Sequence, residues 1–332
     1  MSEQAGPALL EIRDLEVTYR TRAGDVPVVR GVSLDLHEAG TLGLAGESGC
    51  GKTTIANAVL RLLPPGTRVE GQVLLEGEDV YAMKPGRLRA VRWSELAVVF
   101  QGALHSLDPV QKIGKQIAEA IDLHTTQSRS ATKQRVGELL EQVGLPARRA
   151  AEYPHQLSGG QRQRVMIAMA LACDPAVLIA DEPTTALDVM VQAQVLDLLQ
   201  RLQRERNLAV LFITHDLSVL TSVCERLAVM YAGRIVEEGS SAVVFEQPQH
   251  PYTRALAAAF PTIGDLSSRM QPSGLDGDPP DPQQLPSGCP FHPRCDVVEE
   301  RCATLDVRLS PAGPGRRAAC VKVGSQAAEV PG

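Results

Sequence analysis

TLGLAGESGCGKTTIANAVLRLL, residues 41–63, runs from a short apolar strand through a glycine-rich turn into a helical pattern. Within it, Gly46-Glu47-Ser48-Gly49-Cys50-Gly51-Lys52-Thr53 fits the spacing G-x-x-x-x-G-K-[ST], in the strand-to-helix setting that this motif requires. Glycines allow successive backbone N–H groups to turn inward around phosphate oxygens, and the helix N-terminus adds the positive end of its dipole. Lys52 is then placed to reach the terminal phosphates, and the Thr53 hydroxyl to ligate Mg²⁺. A glycine-rich turn before a helix would look similar; the flanking strand and helix favour the phosphate cradle.

Outward from this stretch the chain alternates. ALLEIRDLEVTYR (8–20) and VVRGVSLDL (28–36) read as strands, and residues 113–143 place Ile113, Ile117, Ala120 and Ile121, then Val136, Leu139, Leu140 and Val143, at amphipathic helical spacing. From residue 161 a helix, the strand AVLIAD, a helix with Val191, Val195, Leu198, Leu199 and Leu202 on one face, and the strand LAVLFIT follow in turn. Short apolar strands alternating with helices imply an α/β fold with a mainly parallel sheet covered on both faces. After about residue 260 proline and glycine accumulate (QPSGLDGDPPDPQQLPSG, 271–288), which marks a linker.

Two further motifs carry chemistry. AVLIADEP (176–183) is an apolar strand ending in paired acids, with Asp181 placed to hold a Mg²⁺ shell and Glu182 to orient a water attacking the γ-phosphate. Alone, the pair could equally be the polar end of a strand. In LSGGQRQR (157–164), Ser158 and Gln161 form an S-x-x-Q capping box, and Gly159 and Gly160 leave the first amides of the helix uncovered, which makes a second anion site. Two phosphate sites in one chain are redundant unless they meet across a dimer.

Composition narrows the setting. At 332 residues and net charge -6 the chain is long enough for about two domains and argues against a general nucleic-acid binder. No run of about 18 apolar residues occurs, and MSEQAGPALLEI lacks the basic and apolar regions of a secretory signal, so a cytoplasmic location is expected. Four of the seven cysteines, Cys289, Cys295, Cys302 and Cys320, fall near the end of the chain; in a reducing compartment they read as a ligand set rather than disulfides. Their gaps of five, six and seventeen residues are wider than those of usual zinc knuckles, and thiolate-only ligation suits either zinc or iron–sulfur. Free thiols are the remaining reading. His292 is a further potential ligand, while Cys50, Cys173 and Cys224 read as small buried residues.

P-loop, LSGGQ and acidic strand end, in this order, resemble the ATP-binding subunit of an ABC transporter. The resemblance implies a P-loop ABC ATPase with a mixed sheet core (1–260), a helical subdomain inserted at about 103–160, and a Cys-rich C-terminal extension (261–332). It makes Gly46, Glu47, Ser48, Gly49, Cys50, Gly51, Lys52, Thr53 and Thr54 the phosphate cradle, and Tyr19 the residue that stacks on adenine. Gln101 matches the Q-loop glutamine that touches Mg²⁺, Asp188 the D-loop, and His215, in ITHD, the switch histidine at the γ-phosphate. YPHQLSGGQRQRVMIAMAL, ADEPTTALDVMVQAQVLDLL, HPYTRAL and CPFHPRC are closer still to the ATPase subunits of bacterial oligopeptide/dipeptide importers. That group implies a [4Fe-4S] cluster on Cys289, Cys295, Cys302 and Cys320, with zinc as the alternative.

The same resemblance implies a head-to-tail dimer in which Ser158, Gly159, Gly160 and Gln161 serve the neighbour's nucleotide. It implies a second related ATPase subunit, two membrane permeases and an extracytoplasmic binding protein as partners, at the cytoplasmic face of the membrane. Nickel, sugar or glutathione importers would present nearly the same ATPase. A chromosome or DNA-repair ATPase would carry long heptad repeats between its motifs, and a translation-linked ABC protein two cassettes; this sequence has neither. Two departures stand out: FQGALHSLDP (100–109), with His105 in the stretch expected to face the permease, and Cys50 inside the cradle, where oxidation is expected to disturb nucleotide binding.

Overall fold

The computed structural model describes residues 8–102, 106–185, 187–259, 275 and 277–326. His105 and the boundary expected at residue 260 lie outside them. Two compact units emerge, both discontinuous in sequence: residues 1–10, 36–40 and 75–211 form one, and residues 11–35, 41–74 and 212–332 the other.

In the first unit, strands Leu96–Val99 and Val177–Asp181 pair in parallel, Leu96 opposite Val177 and Val99 opposite Ala180. Both are almost wholly buried, as parallel strands covered on two faces must be. The helical insert expected from periodicity is present as Ile113–His124 and Arg129–Gln142, which pack on each other and on helix Gly159–Ala170. Ile113, Ile117, Ala120, Ile121, Val136, Leu139, Leu140 and Val143 are all buried, as their spacing predicts. Helix Val189–Arg206 buries Val195, Leu198, Leu199 and Leu202, with Val191 only partly covered.

In the second unit the fully buried strand Thr41–Ala45 runs parallel to Arg226–Tyr231, with Leu42 opposite Arg226 and Ala45 opposite Val229. Arg226–Tyr231 turns through Ala232 and Gly233 into the antiparallel strand Arg234–Ser240. The end of the chain continues this arrangement. Arg317–Ala318 pairs antiparallel with Glu237 and Glu238, and Ser310–Pro311 pairs in turn with Arg317–Ala318. Residues 310–318 therefore cover what would otherwise be an open strand edge. Among the described residues no helix is long and apolar enough to cross a membrane.

Candidate functional site

The phosphate-binding loop leaves strand Thr41–Ala45 at Gly46 and enters helix Lys52–Val59. Gly46 adopts φ +155, and a Cβ there would sit 2.3 Å from the Met230 carbonyl oxygen, so only glycine fits this close approach to the neighbouring strand. Lys52 is buried, and its ammonium donates to the carbonyls of Gly46 (2.6 Å) and Glu47 (2.9 Å). The loop is thus wrapped around its own cation, which satisfies a charge that burial would otherwise penalise. Thr53, Ser48 and Gly49 are exposed. The Tyr19 hydroxyl lies 3.2 Å from Thr54 Oγ1, which sets this aromatic ring at the start of the helix that the loop leads into.

Cys50 is buried, as its residue type suggests, and this bears on the oxidation sensitivity expected of it. Its thiol is buried, and burial pushes its pKa up while the nearby Lys52 ammonium opposes the shift. A protonated, shielded thiol is a poor target for oxidants, so the expected redox sensitivity of the loop loses its physical basis. Cys224 is buried as expected, whereas Cys173 is only half-buried.

Glu47 is held at both ends. Its backbone N–H donates to the Tyr252 hydroxyl at 2.8 Å, and its carboxylate accepts from Arg294 Nη1 (2.7 Å) and Nη2 (3.0 Å). The Glu47 carboxylate holds the Arg294 guanidinium above its usual pKa range. Tyr252 stacks obliquely on Tyr231, with ring centroids 4.5 Å apart, and Phe291 meets Tyr231 edge-on at 5.3 Å. Tyr252 and Arg294 were not singled out from the sequence. They sit inside HPYTRAL and CPFHPRC, quoted only for family likeness, and no spacing rule links them to residue 47.

In the first unit, the parallel register that sets Val99 opposite Ala180 brings the residues just beyond the two strand ends together. Gln101 Nε2 donates to Glu182 Oε2 at 2.6 Å, and the Thr185 hydroxyl donates to the same oxygen at 2.8 Å. Glu182 adopts φ +46, a left-handed conformation uncommon for a residue with a side chain. Asp181 is buried at the strand end. The predicted capping box is present: Gln161 N–H donates to Ser158 Oγ at 3.3 Å, and Ser158 N–H to Gln161 Oε1 at 3.0 Å. At Gly160 a Cβ would lie 2.4 Å from Val191 Cγ1, so this glycine admits the next helix. Asp188 is the N-cap of that helix, accepting from Val191 N–H at 3.0 Å. In the second unit His215 is exposed, just after strand Ala209–Thr214.

Cys289, Cys295, Cys302 and Cys320 line one small cavity, together with His250, Phe291 and His292. Burial pushes the Cys289 and Cys295 thiols up, while the N–H groups of Phe291 and Val297 bond to them and oppose that shift. Glu299 N–H donates to Cys302 Sγ at 3.4 Å. His292 Nδ1 lies 2.9 Å from the Cys289 carbonyl oxygen. Among the described residues, no three His, Cys, Asp or Glu side chains converge closely enough to hold a single metal ion. The donor set, four soft thiols with amide N–H groups on three of them, is of the kind that holds iron–sulfur clusters. Thiolate-only ligation suits Zn²⁺ equally.

Comparison with known proteins gives two successive family matches along the chain. Residues 29–185 match the family model described as ABC transporter, and residues 236–302 the one described as oligopeptide/dipeptide transporter, C-terminal region. The chain is 45% identical to the oligopeptide transport ATP-binding protein OppD of Bacillus subtilis, over 85% of this chain and 80% of the relative. It is 42% identical to OppD of Escherichia coli, over 97% and 95% respectively. Among solved structures, the dimeric ABC transporter cassette MJ0796 superposes with a TM-score of 0.63 at 29% identity, covering 70% of this chain and 98% of that one. The same cassette bound to ADP and phosphate matches equally well.

Proposed function

The chain belongs to the ATP-binding proteins of the oligopeptide/dipeptide ABC transporters, and on that premise we propose that it hydrolyses ATP to drive peptide import through a membrane permease. The observation that carries this reading is the complete set of ATP-handling motifs in one chain, followed by a match to the C-terminal region described for oligopeptide/dipeptide transporters.

In this reading Lys52 and the loop amides hold the β- and γ-phosphates, and Tyr19 covers the adenine. By family likeness Thr53, Gln101 and Asp181 are the residues that would hold Mg²⁺, which would neutralise charge developing on the phosphates. Glu182 takes the proton of the water that attacks the γ-phosphorus, ADP leaves as the bond from its β-phosphate oxygen to the γ-phosphorus breaks, and His215 hydrogen-bonds the γ-phosphoryl oxygens. Ser158, Gly160 and Gln161, at a helix N-terminus rich in uncovered amides, close on the nucleotide of a partner cassette. Because ATP favours the closed dimer and its products do not, each cycle shifts a two-state permease between its access states. A related second ATPase subunit, two permeases at the cytoplasmic face of the membrane and an extracytoplasmic binding protein complete the assembly.

The four tail thiols carry a [4Fe-4S] cluster in this proposal, supported by their soft, amide-bonded donor set around one cavity. Such a cluster would fasten the extension to the cassette.

The test is ATPase activity of the reconstituted complex with and without peptide-loaded binding protein. Stimulation by peptides supports the proposal. Stimulation only by nickel, a sugar or glutathione would reassign the cargo, and no hydrolysis in any assembly would refute it. Iron, sulfide and zinc analysis of anaerobically purified protein, beside Cys295→Ser, tests the cluster: iron and sulfide near four each per chain support it, and zinc alone or no metal overturns it.

A further inference from the structure

Glu47, the second residue of the phosphate-binding loop, is gripped by groups that follow it by 205 and 247 residues: the Tyr252 hydroxyl on its N–H and the Arg294 guanidinium on its carboxylate. Both contacts are largely shielded from water. Tyr252 is fully buried, and the Arg294 and Glu47 side chains are 7% and 22% exposed. A two-pronged guanidinium–carboxylate pair fixes orientation as well as distance, so the side chain and the backbone of one loop residue are both defined. The same Arg294 reaches the Tyr231 hydroxyl at 3.4 Å, on the strand that Gly46 abuts. Arg294 itself lies between Cys289 and Cys295, where Phe291 is wedged against Tyr231 and Tyr252.

Neither Tyr252 nor Arg294 is in the ATP-handling motifs, yet both converge on the loop that must present its amides to phosphate. A loop held ready before binding avoids the ordering cost at the moment of binding. We propose that Arg294 and Tyr252 are positioning residues of the nucleotide site, which clamp Glu47 and hold the phosphate-binding loop in its receptive shape. The C-terminal region is thereby part of the ATP site's support, not only an appendage to the cassette. This rests on the reading that the loop binds ATP.

The test is equilibrium binding of ATP, and separate kcat and KM, for the full chain carrying Arg294→Gln, Arg294→Lys, Glu47→Gln, Tyr252→Phe and the double change Arg294→Gln/Glu47→Gln. Arg294→Gln and Glu47→Gln should each weaken ATP binding about tenfold, short of the ~10²-fold that a misplacement of ~1 Å can cost. KM should rise with little change in kcat. The double variant should be no worse than either single one, because both remove the same interaction. Arg294→Lys should recover part of the affinity through a single-pronged pair. Tyr252→Phe, which keeps the ring packing, decides the matter if Arg294→Gln does not fold. Folded variants that bind ATP as the wild type does would overturn the proposal and leave the clamp a mere tether. A wild-type chain that does not bind ATP would instead overturn the reading of the loop, and the proposal with it.

Discussion

Gln101 donates its carboxamide N–H to the carboxylate of Glu182 across 2.6 Å, joining the residues that follow two parallel strands. A carboxylate only accepts, so the amide nitrogen must face it, and the contact orients the group assigned as general base. Glu182→Gln keeps the shape and removes the base. ATP binding should persist while turnover falls by roughly 10²- to 10⁴-fold. Wild-type-like phosphate release from that variant would reassign the role.

Lys52 donates to two carbonyls of its own loop, at 2.6 and 2.9 Å, and a nucleotide would exchange these for phosphate oxygens. Charged hydrogen bonds contribute ~1.5–3 kcal/mol each, so Lys52→Ala should weaken ATP by at least about tenfold. Isothermal titration of both proteins with Mg-ATP measures this directly. Unchanged affinity would show that the amides alone bind phosphate.

Ser158 caps the helix Gly159–Ala170 through its hydroxyl. Ser158→Ala should cost about 1 kcal/mol in denaturant unfolding. Gly160→Ala places a Cβ 2.4 Å from Val191 Cγ1 and should cost ~1–3 kcal/mol, and adding Val191→Ala should recover most of the loss. Additive effects in the double variant would mean that the two residues do not compete for space.

Burial raises the Cys50 thiol pKa, so at pH 8 less of it is thiolate than of an exposed cysteine, and the reactive fraction grows as pH rises. Mild peroxide should therefore leave ATP affinity unchanged. Mass spectrometry after brief iodoacetamide labelling in the native state should find Cys50 unmodified, with modification appearing on denaturation. Rapid native labelling would place the thiol in reach of solvent.

Much of the candidate site was legible because its chemistry is local. The turn 46–53 needs only a strand before it and a helix after it, and the Ser158–Gln161 box needs one helical turn. Likewise the buried stripe Ile113, Ile117, Ala120 and Ile121 follows from helical period alone. The oxidation sensitivity expected of Cys50 rests on its position in the loop alone, and the burial of its thiol argues against it.

By itself the sequence determined the α/β class, the phosphate-binding loop, the acid pair and the helix caps, all of which depend on residues a few positions apart. Only the tertiary structure decided that Gln101 holds Glu182, 81 residues on, through the register of two strands. It alone brought Tyr252 and Arg294 to Glu47, and the last strand of the extension to Glu237 and Glu238. These contacts are chosen by packing of buried aromatic rings and by pairing of charges removed from water, energies that exist only once distant segments share one interior.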